Sequence, residues 1–149
     1  MAHYRATITC DAPPDVAFPY IADFANVAAW DPGVASAEQR THGPVGLGAE
    51  FTVDVRSVGR TLPFAYRIIT HTPPQRVAFL GEYGGMVSED VVDIEPTARG
   101  GSRVTYDADL RLKGPLRVFD PVLALAFRRI GDRAISGLQD ALAGLEALR

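Results

Sequence analysis

From Glu50 to Lys113 the chain is built of short segments in which apolar and polar side chains alternate, and this period of two constrains its fold more than any other feature. In "SRVTYDADLRLK", Val104, Tyr106, Ala108, Leu110 and Leu112 alternate with Arg103, Thr105, Asp107, Asp109 and Arg111. Successive side chains of a strand point to opposite faces, so such a segment is a strand with one dry and one wet face. The pattern recurs at Phe51, Val53 and Val55, and again at Leu62, Phe64, Tyr66 and Ile68. It returns at Val77, Phe79, Gly81 and Tyr83, and at Met86, Ser88, Asp90, Val92 and Ile94. The words "TPPQ", "GG" and "PTARGG" turn the chain between segments, and strands joined so closely pair antiparallel. Pro63 has no N–H to give, so the start of its strand is expected at an edge or just outside the regular ladder. "HYRATIT" and "VASAEQ" are expected to complete the sheet.

Helical spacing appears on both sides of this run. After Asp11 and its neighbouring prolines, a short helix is expected to begin at Pro14 or Asp15, with Val16, Ala17, Tyr20 and Ile21 on its inner face. Asp23 can cap a second short helix that turns Phe24, Val27 and Ala28 inward and closes on Trp30. Asp31, Pro32 and Gly33 then stop the helix and turn the chain. At the other end, Leu123, Phe127, Ile130, Ala134, Leu138, Ala141, Leu145 and Leu148 recur every three or four residues as one stripe. Arg128, Arg129, Asp132, Gln139, Asp140 and Glu146 fall largely opposite, and Leu125 projects to the polar side. No two-position heptad seam persists, and glycines at 131, 137 and 144 suit an isolated arm poorly. This helix is therefore expected to lie across the sheet, giving a two-layer α+β fold.

A chain of 149 residues with 47% hydrophobic side chains is sufficient for one domain, 1–149, around one core. Its net charge of −3 offers no attraction to phosphate backbones, so nucleic acid is not an expected partner. No apolar run approaches the ~18 residues that cross a bilayer, and the first ten residues lack a signal-peptide core, so neither stable membrane insertion nor export is expected. Cys10 is the only cysteine, which precludes an internal disulfide and suits the cytoplasm. Its thiol is expected to be a buried spectator.

The order of elements and several local words resemble the START/Bet v 1-like (SRPBCC) superfamily, in particular its polyketide cyclase/dehydrase and lipid-transport branch. The words are "PPDVAFPYIADFANVAAWDPGV", "VGLGAEFTVDV", "PFAYRIITHTPPQRVAFLG" and "GSRVTYDADLRLKGPL", which together span nearly the whole chain. Trp30 matches the aromatic that follows the small helices, Pro32 the turn after it, and Gly100 to Arg103 the turn into the last strand. The resemblance implies a helix-grip fold: a curved antiparallel sheet wrapped around a long C-terminal helix, with two short helices after the first strand. It also implies that the concave sheet face and the inner face of the long helix line any pocket. It does not by itself imply cyclase chemistry, because one fold serves many functions.

The dry faces nominate Phe51, Val53, Phe64, Tyr66, Phe79, Tyr83, Asp90, Tyr106 and Ala108 of the sheet, with Phe127 and Ile130 of the helix, as ligand-contacting residues. Each apolar member has ordinary core packing as its alternative. The tyrosines matter more because a buried hydroxyl needs a hydrogen-bond partner, either a ligand or another side chain. Asp90 is the sharpest anomaly, since its parity carries it inward with Val92 and Ile94. A buried carboxylate would be available for acid/base work, whereas a strand bulge would move it to the rim. Glu82 and Glu89 alternate outward, His71 is expected at a turn or surface, and His3 and His42 stand alone in sequence. No metal spacing, nucleophile elbow or dinucleotide fingerprint is present, so no metal, cofactor or assigned catalytic residue is expected. "GPVGLG" reads as a turn and "RRIGDR" as solvated helix surface; Arg60 could meet a ligand carboxylate at a pocket mouth. The expected function is binding or transport of a small hydrophobic ligand, lipid-like, aromatic or polyketide-like, by a monomer or homodimer. The alternative is a cyclase- or dehydratase-like enzyme using acid/base groups in the same cavity, and a third possibility is an interaction protein whose grip is filled by side chains.

Overall fold

The structure, a computed structural model, describes residues 2–147, with the side chains at 116, 119, 120, 122, 123, 146 and 147 outside the description. Seven strands form one curved antiparallel sheet: β1 (Ala2–Cys10), β2 (Val34–Gln39), β3 (Glu50–Ser57), β4 (Arg60–Thr72), β5 (Arg76–Tyr83), β6 (Met86–Pro96) and β7 (Ser102–Leu112). Their order across the sheet is β1-β7-β6-β5-β4-β3-β2, so β3 to β7 form a meander while β1 and β2 occupy opposite edges. The chain crosses between those edges through α1 (Pro14–Ala22), a 3₁₀ turn (Phe24–Asn26) and α2 (Val27–Trp30). A second 3₁₀ turn (Gly114–Phe119) leads into α3 (Asp120–Ala147). This is the helix-grip arrangement. Although α3 has 28 residues, no helix among the described residues is long and apolar enough to cross a membrane.

The alternation in sequence becomes one buried face because the pairing keeps like parity in line. Tyr4, Ala108, Asp90 and Phe79 stand opposite one another across β1, β7, β6 and β5, as do Leu110, Ser88 and Gly81 in the adjacent row. Register shifts in β2 between Val34 and Ser36 and in β4 between Ile68 and Thr70 mark irregularities of the kind that bend strands. Pro63 opposes Asp54 of β3, while pairing with β5 begins only at Ala65. Its missing donor therefore falls where β4 extends past its neighbour.

The short helices pack nearly as the spacing predicts. Pro14 opens α1 at a position whose N–H needs no internal partner, and the Asp23 carboxylate accepts from the Ala25 N–H at 3.2 Å. The inner face of α1 is rotated from the expected one: Ala17, Phe18, Ile21 and Ala22 are buried, whereas Val16 and Tyr20 are half-buried. The ring of Phe18 meets His71 edge-on at 5.4 Å, which places His71 against the core edge rather than in solvent. On α3, Leu138 and Leu142 are fully buried, Ala134, Ala141 and Leu145 are half-buried, and Leu125 points outward at 74% exposure. The side chain of Leu123 and all of Leu148 lie outside the described residues. Cys10 is half-buried rather than buried, its thiol donating to the Ala12 carbonyl at 3.6 Å.

Two glycines of α3 explain its docking. A Cβ on Gly131 would enter the ring of Tyr4, and one on Gly137 would collide with the backbone carbonyl of Trp30. Gly137→Ala is therefore expected to destabilise by about 1–3 kcal/mol through overpacking, although alanine favours an isolated helix by about 1 kcal/mol. Urea unfolding measures the sign, and a stabilised variant would refute this close approach.

Candidate ligand cavity

A cavity of about 160 Å³ lies between the sheet and α3. The sheet contributes Val53, Phe64, Tyr66, Asp90, Tyr106 and Ala108, and α3 contributes Phe127 and Ile130. Phe127 is half-buried and Ile130 is 48% exposed even as it borders the cavity, so this wall is incompletely covered.

Three nominated residues do not line it. Phe51 and Phe79 are packed away beneath Phe24, whose ring stacks on Phe79 at 4.1 Å and meets Phe51 edge-on at 6.3 Å. The turn after α1 thus inserts a third aromatic between the sheet and the open space. Tyr83 is half-buried and lies 5.7 Å from Phe64, beside the cavity wall rather than in it.

The polar end of the cavity is built on β6 and β7. Asp90 is 8% exposed. Its Oδ2 accepts from the Tyr106 hydroxyl at 2.6 Å and its Oδ1 from the Ser88 hydroxyl at 3.1 Å. Asp90 pairs directly with Ala108, so Tyr106 reaches it diagonally, two residues along the same face. Gly81 makes room for the cluster's remaining tyrosine: the ring of Tyr66 occupies the space that a Cβ there would take. Tyr66 and Tyr106 are therefore drawn together around Asp90 by registry rather than by sequence proximity.

Burial dominates the electrostatics. It pushes the Asp90 carboxyl up to about 6, the Tyr106 and Ser88 hydrogen bonds oppose that shift, and the charges of Asp31 and Asp109 add to it. Both Tyr66 and Tyr106 are raised, first by burial and next by the Asp90 charge. Asp31 is also raised by burial, against a 2.8 Å hydrogen bond that its Oδ1 accepts from the Gly33 N–H. The site consequently holds protons more tightly than the same groups would in water.

Several cavity residues were not nominated from sequence. Asp31 reads there as a turn former, and its side chain does make that turn, yet it also borders the cavity. Tyr4 lines the wall as well, its hydroxyl donating to Asp132 at 2.7 Å and its pKa raised to about 12, chiefly by burial. The parity of Tyr4, Ala6 and Ile8 was the available signal. Ser88 shares Asp90's parity, and Ile135 lies beside the Ala134 stripe. Trp30 borders the cavity too, and its buried indole N–H has no partner among the described residues.

On the outer face, His3 is not isolated. Its Nε2 lies 2.7 Å from Asp107, and Asp109 completes a compact group. Glu82 is exposed and Glu89 half-buried, as their parity requires.

Comparison with known proteins agrees with this fold. A family described as polyketide cyclase / dehydrase and lipid transport matches residues 1–143. No curated protein matches the chain. Among solved structures, TTHA0849 from Thermus thermophilus is similar at a TM-score of 0.76 and 16% identity, over 95% of this chain and 97% of that one. A START superfamily protein from Mycobacterium smegmatis is similar at 0.74 and 16%, over 100% of both chains. Ara h 8.0201 is similar at 0.69 and 16%, over 95% of this chain and 97% of that one. At these identities the structures speak for the fold alone, whereas the match at 1–143 concerns the sequence itself. The chain belongs to the polyketide cyclase / dehydrase and lipid transport family, and its fold is similar to that of the START superfamily protein from Mycobacterium smegmatis.

Proposed function

We propose that the chain binds a small, predominantly apolar molecule in the cavity, with Asp90, Tyr106 and Ser88 holding its polar end. The observation that carries this reading is a buried, hydrogen-bonded carboxylate facing open space whose walls are otherwise mostly apolar. Such a combination gives affinity through transfer from water and orientation through a few convergent polar groups. At about 160 Å³ the space is close to the ~150 Å³ of an apolar cavity that holds benzene. One ring fits, and a longer molecule would extend past Phe127 and Ile130, where the cover is thinnest.

A second reading is favoured by one specific feature. Asp90, raised to about 6, is placed to give or take a proton near neutral pH, which suits a cyclase- or dehydratase-like reaction. In that case Tyr66 and Tyr106 orient a carbonyl or phenol beside it.

Mass spectrometry of gently purified protein tests binding directly. A reproducibly retained small molecule is expected, and Ala134→Phe, which fills the space from α3, is expected to lose it while remaining folded by circular dichroism. Retention unchanged in that variant would place the ligand elsewhere. Turnover of the retained compound, abolished by Asp90→Asn, would establish the enzymatic reading.

A further inference from the structure

Among the described residues, the cavity holds negative charge with no cation to balance it. Asp31 and Asp90 both border it, and none of the described residues around it is lysine, arginine or histidine. No ion pair among the described residues includes Asp90, whose partners are two neutral hydroxyls. Hydroxyls orient a carboxylate without cancelling its charge, and each carboxylate oxygen can accept a further hydrogen bond.

Asp31 is the weaker anchor. It also borders an outer cleft that includes Arg56 and Arg133, although Arg56 donates to the carbonyls of Pro32 and Val34. Asp90 has no such neighbours among the described residues of the cavity. The cavity is lined by the aromatic rings of Tyr4, Phe24, Trp30, Phe64, Tyr66 and Tyr106, and the faces of aromatic rings attract cations.

A buried charge is costly until it is paired. A protonated amine would supply the missing counter-ion, a neutral molecule would leave the cost in place, and a ligand carboxylate would add like charge. We propose that the molecule accommodated here is a small apolar amine, its protonated nitrogen against Asp90 and its body among the aromatic rings. This inference rests on the cavity being a ligand site and adds the ligand's charge class.

Benzylamine, benzyl alcohol and benzoate share one skeleton of suitable size and differ in charge. Trp30 is the only tryptophan and borders the cavity, so its fluorescence reports occupancy during titration. Benzylamine is expected to bind wild type at least tenfold more tightly than benzyl alcohol, with benzoate weakest. Asp90→Asn is expected to erase that preference, bringing the amine and the alcohol to similar affinity. Equal affinity for the alcohol and the amine, tighter benzoate binding, or a preference that survives Asp90→Asn overturns the amine inference while leaving the cavity a ligand site. No saturable response to any of the three overturns both.

Discussion

Phe24→Ala is expected to lower stability by about 3–5 kcal/mol, the range for removing a buried phenylalanine, and to depress Tm by roughly 10 °C. The side chain is 3% exposed and touches three rings: Phe79 at 4.1 Å, Tyr66 at 4.9 Å and Phe51 at 6.3 Å. It is also the partition between Phe51 and Phe79 and the open cavity, so its loss removes packing and enlarges the space together. Urea unfolding measures the first effect. The second is checked by ligand size, since the variant is expected to bind a two-ring probe more tightly than wild type does. A loss below about 1 kcal/mol would mean that the site collapses, and that Phe24 does not hold the partition.

Asp90→Asn is expected to change the pH dependence of stability. Burial raises the folded-state carboxyl from the ordinary 3.8 to about 6, so the native protein binds this proton more tightly than the unfolded chain. The stabilisation from that proton is complete below about pH 4 and is lost as pH rises through about 6. The interval corresponds to about 3 kcal/mol between acid and neutral pH. Asparagine carries no charge and keeps one acceptor for Tyr106, although its amide group gains no evident partner. The variant is therefore expected to exceed wild type by about 2 kcal/mol at pH 8, after an allowance of about 1 kcal/mol for hydrogen bonding. The gap is expected to close or reverse at pH 4. Asp31 shifts in the same direction, yet it is present in both proteins and largely cancels in the difference. Urea unfolding from pH 4 to pH 8 checks this, and a gap independent of pH would show that Asp90 carries no burden of burial.

Both predictions depend on residues whose roles were unequally legible. Parity with Val92 and Ile94 carried Asp90 inward but left a rim position through a strand bulge open, and the unbroken register of β6 with β5 and β7 excludes the bulge. The same rule placed Val53, Phe64, Tyr66, Tyr106 and Ala108 on the cavity side. It could not separate them from Phe51 and Phe79, which have the same parity. Parity states which face a side chain occupies, but not what lies above it. Phe24 covers those two because the turn after α1 brings it there, across a long connection between opposite edges of the sheet.

The polar cluster shows the same division. Ser88 and Asp90 are two residues apart, yet Tyr106 and Tyr66 join them only through the β6–β7 register and the room left above Gly81. Asp31 was hidden differently. Its turn-forming role accounts for an aspartate before Pro-Gly, so nothing local distinguished its second role at the cavity.

Local periodicity and turn chemistry, acting between residues close in the chain, placed the strands, the two short helical segments and the long helix and, over the described residues, the face each turns inward, save for the rotation of α1, the 3₁₀ turn at Phe24–Asn26 and the half-exposed Ile130. Tertiary structure decided how closely the layers approach, through Gly131 under Tyr4 and Gly137 against Trp30. It also decided which inward residues meet each other and which meet open space. Those outcomes depend on contacts between residues far apart in sequence, where a single ring or a missing Cβ separates packed core from cavity.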